Sequence, residues 1–124
     1  RDQVSNFDQI IKTAKEKGIQ VGWSNPCFEI WMFAYFGSMP AIHESWTCCA
    51  KFAELYKTKT GQIYTKADKN MYGRLCEFGD EGRAIQIAQQ KYKQCLREEK
   101  TSPSQMCPAT TVYELVDEIR KKIK

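Results

Sequence analysis

The sequence predicts a mostly α-helical chain with one or two short strands. Three observations predict it. Apolar residues recur three and four apart along most of the 124 residues, the spacing of helices with one buried face. A single stretch, Ile19, Val21 and Trp23, alternates with Gln20 and Gly22 in the period of a strand. The run from Cys27 to Phe36 is apolar on every side except at Glu29, and a helix apolar all round is normally buried all round.

The elements follow in order. Ser5-Asn6-Phe7-Asp8 has the form of a helix start, with an acid three residues after a serine cap. Phe7, Ile10, Ile11 and Ala14 mark its apolar face, and Gly18 stops it. The short strand Ile19–Trp23 comes next. Asn25 then reads as a helix cap and Pro26 as the first helical residue, where the missing N–H costs nothing. Gly37 and Pro40 close that helix. A third helix spans 47–56, and a basic loop from Lys57 to Lys66 follows. Asp68 caps a short helix carrying Met71, Tyr72, Leu75 and Cys76. Gly79-Asp80 opens a longer one ending near Arg97, with Ala84, Ile87, Ala88, Tyr92, Cys95 and Leu96 on its face. Residues 101–104 form a loop. The last helix opens with a capping box, Thr111 to Glu114, and ends in a basic tail that suits a helix C-terminus.

Composition narrows the function. The 42% hydrophobic content supplies one core, and the net charge of +4 permits a polyanionic partner. No apolar run reaches membrane-spanning length, so no membrane partner is expected. The six cysteines, Cys27, Cys48, Cys49, Cys76, Cys95 and Cys107, fall mostly on apolar helix faces, where a free thiol behaves as a small hydrophobe. Reduced thiols and a cytoplasmic location are therefore expected. His43 is the only histidine and has no metal-ligand spacing to a cysteine. That argues against a zinc site and against Ser-His or Cys-His hydrolysis. No glycine-rich nucleotide loop is present.

Two features point to a site. Glu29 sits in the first turn of the apolar helix. It either complements the helix dipole or is a functional carboxylate held at the mouth of a site. Residues 51–75 carry six basic residues against two acids, a surplus equal to that of the whole chain. Interleaved tyrosine and threonine suit contact with phosphate. A solvated charged face is the plainer reading of the same cluster.

With Ser24-Asn25-Pro26-x-Phe28-Glu29-x-Trp31 in place, the sequence resembles the RloB-like family, which includes the AbiLii-type abortive infection proteins. Asp2 looks like the second acid of the family's aspartate-x-aspartate motif. Tyr64-x-Lys66 and Pro108-x-Thr110-Thr111-Val112, followed by Leu115-Val116, match two further motifs. The resemblance covers essentially the whole chain and implies a truncated α/β, Toprim-like parent domain. On this reading residues 1–124 are the C-terminal part of an RloB-like protein, with 1–37 a partial βαβ unit and 38–124 a helical part. A chain beginning with Arg1 rather than methionine agrees with a piece of a longer protein.

The resemblance also implies a bacterial anti-phage effector, a Mg²⁺-dependent nuclease acting on RNA or DNA beside an ABC/SMC-type ATPase. Asp2 and Glu29 would be the catalytic and metal-binding residues. Ser24, Asn25, Lys57, Lys59 and Lys66 would bind substrate. With at most two of the metal-site acids present, this stretch alone is expected to lack Mg²⁺ and activity. A strand without its native neighbours is expected to self-associate or lie against its own helices. A non-catalytic module docking an ATPase or nucleic acid is the alternative.

Overall fold

A computed structural model describes residues 2–123 of the chain, with side chains from residue 7 onward. It is mostly helical with one small sheet. Among the described residues six α-helices follow in order: α1 (Asp2–Glu16), α2 (Glu29–Ala34), α3 (Ser45–Thr60), α4 (Met71–Phe78), α5 (Glu81–Arg97) and α6 (Val112–Ile123). Two short strands, β1 (Ser24–Asn25) and β2 (Ala109–Thr110), pair antiparallel with Ser24 opposite Thr110. The mostly-α plan with short strands is the one the sequence predicts.

The centre is α2. Ile30 to Tyr35 are all buried, as an all-apolar helix requires. Around them α3 contributes Cys48, Phe52 and Tyr56, α4 Leu75, α5 Ala84 and Ala88, and α6 Tyr113. Phe52 stands edge-on to Phe33 with ring centroids 5.3 Å apart, a favoured aromatic geometry. A satellite cluster of Ile11, Trp23, Cys95, Met106 and Ala109 joins α1 to the other end of α5. All six cysteines are free thiols.

Several local expectations are corrected. The strand is not Ile19–Trp23 but Ser24–Asn25. Residues 21–23 still run beside β2's end, where Thr111 N donates to Trp23 O at 2.8 Å, Trp23 N donates to Thr111 Oγ1 at 3.1 Å and Thr111 Oγ1 donates to Val21 O at 3.3 Å. β2 spans two residues, and Thr111 after it leads directly into α6, so the ladder ends there. Asn25 does not cap α2 and Pro26 is not its first residue. The helix begins at Glu29 behind Phe28, because the Asn25 amide instead donates to the carbonyls of Pro103 and Ser104 at 3.2 and 3.3 Å. Helix α3 reaches Thr60, so Lys57 and Lys59 lie on its last turn rather than in a loop. Its stop is Gly61, whose φ of +75° suits glycine. Thr111 does not close a capping box either, since its hydroxyl is spent on Trp23 and Val21.

Helix α5 starts as predicted, with the Asp80 carboxylate accepting from Arg83 N at 3.1 Å. Asp2 is the first residue of α1. Its side chain lies outside the described residues.

Candidate functional site

Glu29 is the buried acid of the molecule's centre, 3% exposed. Isolated, a carboxylate there would be costly. Three elements compensate it. Tyr64, in the loop after α3, donates its hydroxyl to Glu29 Oε2 at 2.6 Å. Lys66, two residues on, brings Nζ to 3.4 Å of the same oxygen. Cys27, ahead of α2, and Cys49, on α3, place their sulfurs close enough that both thiols and the carboxylate lie within 4.8 Å of one another.

Packing holds each partner. The Tyr64 ring stands edge-on to Phe52 and Tyr56 of α3, at 5.1 and 5.7 Å between centroids. Helix α3 therefore aims the phenol at α2. Lys66, with a side chain 69% exposed, closes the site from the solvent side. Cys27 Sγ lies 3.8 Å from Cys49 Sγ and 3.8 Å from Ser45 O.

The electrostatics follow from burial and these bonds. Burial works to raise the Glu29 pKa, but the hydrogen bond from Tyr64, with help from the thiols and its own backbone amide, holds it below the ordinary carboxylate value. Burial pushes the Tyr64 phenol well up, and the adjacent carboxylate adds to it. Burial likewise pushes the Cys27 thiol up, with Cys48 and Glu29 contributing. The Glu29 charge raises Lys66. At neutral pH the cluster holds one carboxylate, one ammonium, a neutral phenol and neutral Cys27.

The structure thus joins Glu29 and Lys66 but sends other expected site residues elsewhere. Ser24 Oγ lies 2.8 Å from Thr110 Oγ1, and Asn25 ties β1 to the turn at Pro103–Gln105. Ser24 stitches the sheet and Asn25 ties it to that turn, and among the described residues neither side chain hydrogen-bonds Glu29. The amides at the start of α2 are also taken, Ile30 N by Cys27 O and Trp31 N by Phe28 O, so they are not free for a phosphate. Lys57 and Lys59 are exposed and, among the described residues, have no acid within ion-pair range.

Mg²⁺ takes oxygen ligands and keeps several waters. Around Glu29 the described donors are two thiols, a phenol and an ammonium. That set does not fit Mg²⁺.

Sequence reasoning missed Cys27 and Cys49 as site residues, because only the fold brings α3 against the start of α2. It also missed Glu81, the hub of a second cluster. Glu81 accepts from Tyr35 at 2.7 Å and Tyr72 at 3.1 Å, and pairs with Arg120 at 3.7 Å. That cluster fastens α2, α4 and α6 to the start of α5.

Among the described residues, no helix is long and apolar enough to cross a membrane. The family model described as RloB-like protein matches residues 1–119 of the chain. Comparison with curated proteins gives no match, and comparison with solved structures gives none.

Proposed function

Because this chain belongs to the RloB-like family, we propose that it supplies the nucleic-acid-binding part of a cytoplasmic bacterial anti-phage effector. In this reading the effector works beside an ABC/SMC-type ATPase. The metal-dependent cleavage of RNA or DNA that the resemblance implies falls to carboxylates other than Glu29. Glu29 is a positioning residue: it holds the Tyr64–Lys66 loop against α2.

One observation carries the reading. Two motifs 35 residues apart meet at Glu29, and the cation they deliver faces water. Glu29 itself is too buried for a phosphate to reach. Lys66 spends part of its donor capacity on Oε2 and keeps the rest for solvent. Lys57 and Lys59 stand on the helix that leads into the same loop. Exposed cations on one segment suit the sequence-independent grip of a phosphate backbone, which releases counterions.

The test is binding of single-stranded and duplex RNA and DNA across a salt series. The triple variant Lys57→Ala, Lys59→Ala and Lys66→Ala should bind more weakly. Its log–log salt slope should be shallower by about one unit per lost phosphate contact. An unchanged slope returns these lysines to an ordinary solvated face.

A further inference from the structure

We propose that Cys27, Cys49 and Glu29 form a binding site for a borderline-soft divalent metal ion such as Zn²⁺. The geometry of the three ligand atoms carries it. Zn–S bonds of ~2.3 Å at tetrahedral angles put two sulfurs ~3.8 Å apart. Cys27 Sγ and Cys49 Sγ are 3.8 Å apart, and a carboxylate oxygen completes a triangle with every side within 4.8 Å. Three protein ligands with an open fourth position is the pattern of a zinc that keeps a water or takes a substrate group.

The surroundings suit such an ion. Glu29 is oriented by the Tyr64 hydroxyl, the kind of outer partner that fixes a ligating carboxylate. Both cysteines are part-exposed, which leaves a path for entry. On binding, the two thiols release their protons to solvent. Two thiolates and a carboxylate around a divalent ion leave one negative charge, and the ammonium of Lys66, 3.4 Å from Glu29, meets it. The same donor set that does not fit Mg²⁺ fits a softer ion. The lack of a cysteine pair close in sequence hides the site, because its ligands come from two helices and the segment before one of them.

Cobalt(II) is the probe, added to the fully reduced protein. The expected result is one ion per chain, with thiolate-to-cobalt charge-transfer bands and tetrahedral ligand-field bands that Zn²⁺ bleaches. Each of Cys27→Ser and Cys49→Ser should weaken the charge-transfer bands, and the double variant should lose them. Tyr64→Phe should keep the bands while weakening affinity by ~10–100-fold. Cys76→Ser and Cys107→Ser, outside the cluster, should leave spectrum and affinity unchanged. Should a serine variant fail to fold, alkylation decides: bound Zn²⁺ should protect Cys27 and Cys49 in the unaltered chain but not Cys76. Absence of thiolate bands, their persistence in the double serine variant, or no protection by Zn²⁺ overturns the site. Nucleic-acid binding is read separately. A chain that binds nucleic acid through its lysines yet shows no cobalt band sinks this inference and leaves the proposed function standing.

Discussion

At the scale of the residue, Glu29 decides most. A carboxylate 3% exposed survives only because it is bonded. Removing its best partner by Tyr64→Phe leaves an acceptor short, at a cost of ~1–3 kcal/mol by denaturant unfolding. The pH dependence has a definite sign. The folded protein holds the Glu29 pKa below its ordinary value. Its stabilising contribution is therefore fully present above the ordinary carboxylate range and is lost as pH falls through the folded value. Acid unfolding curves should show that limb in the unaltered chain and lose it in Glu29→Gln. An identical acid limb in the variant contradicts the assignment. A double-mutant cycle of Glu29→Gln with Tyr64→Phe should give a coupling of ~0.5–3 kcal/mol, whereas additivity would mean that the two side chains do not share a bond.

At the scale of the element, two glycines in and after α4 make opposite predictions. Gly79 has ordinary extended backbone, yet a Cβ there would sit 2.6 Å from Tyr35 O and 2.8 Å from Leu75 O. Both are backbone atoms. The close approach lets Asp80 N donate to Tyr35 O at 2.9 Å and docks the start of α5 on the end of α2. Gly79→Ala should cost ~1–3 kcal/mol. Gly73 has nothing within 4 Å of its would-be Cβ and lies inside α4. Gly73→Ala should stabilise by about 0.5–1 kcal/mol. Urea midpoints moving the same way for both variants would contradict this packing.

The same elements mark what the sequence discloses. Helix α5, with Asp80 before an apolar face, is readable because cap and periodicity agree locally. The all-buried α2 is readable because no polar face interrupts it. The strand was misplaced because alternation at Ile19, Val21 and Trp23 reports burial, while the ladder depends on where Ala109 and Thr110 arrive from far along the chain. The role of Asn25 is hidden for the same reason, since its partners at Pro103 and Ser104 are 78 and 79 residues away. In the site, Glu29 stands out from its own helix. Tyr64 and Lys66 surface only through a motif, and Cys49 through nothing local at all.

For the whole molecule, the question is which basic surface meets a polyanion. The net charge of +4 is spread over several patches, and the sign alone does not choose among them. Neutralisation narrows the choice. At the end of α6, Lys121 pairs with Asp117, Lys122 with Glu118 and Arg120 with Glu81. The lysines at the end of α3 have no such partners among the described residues, while Lys66 shares its charge with the buried Glu29 and keeps its outer face exposed. Exposed pairs like those on α6 bind each other only weakly, by about 0–1 kcal/mol. They nevertheless cancel the local field that would draw in phosphate. The most direct measurement is lysine reactivity toward an acylating reagent, read by peptide mass, with and without saturating single-stranded RNA at low salt. Lys57, Lys59 and Lys66 should become protected while Lys121 and Lys122 stay reactive. Protection of the α6 lysines with Lys57, Lys59 and Lys66 unchanged would contradict the account.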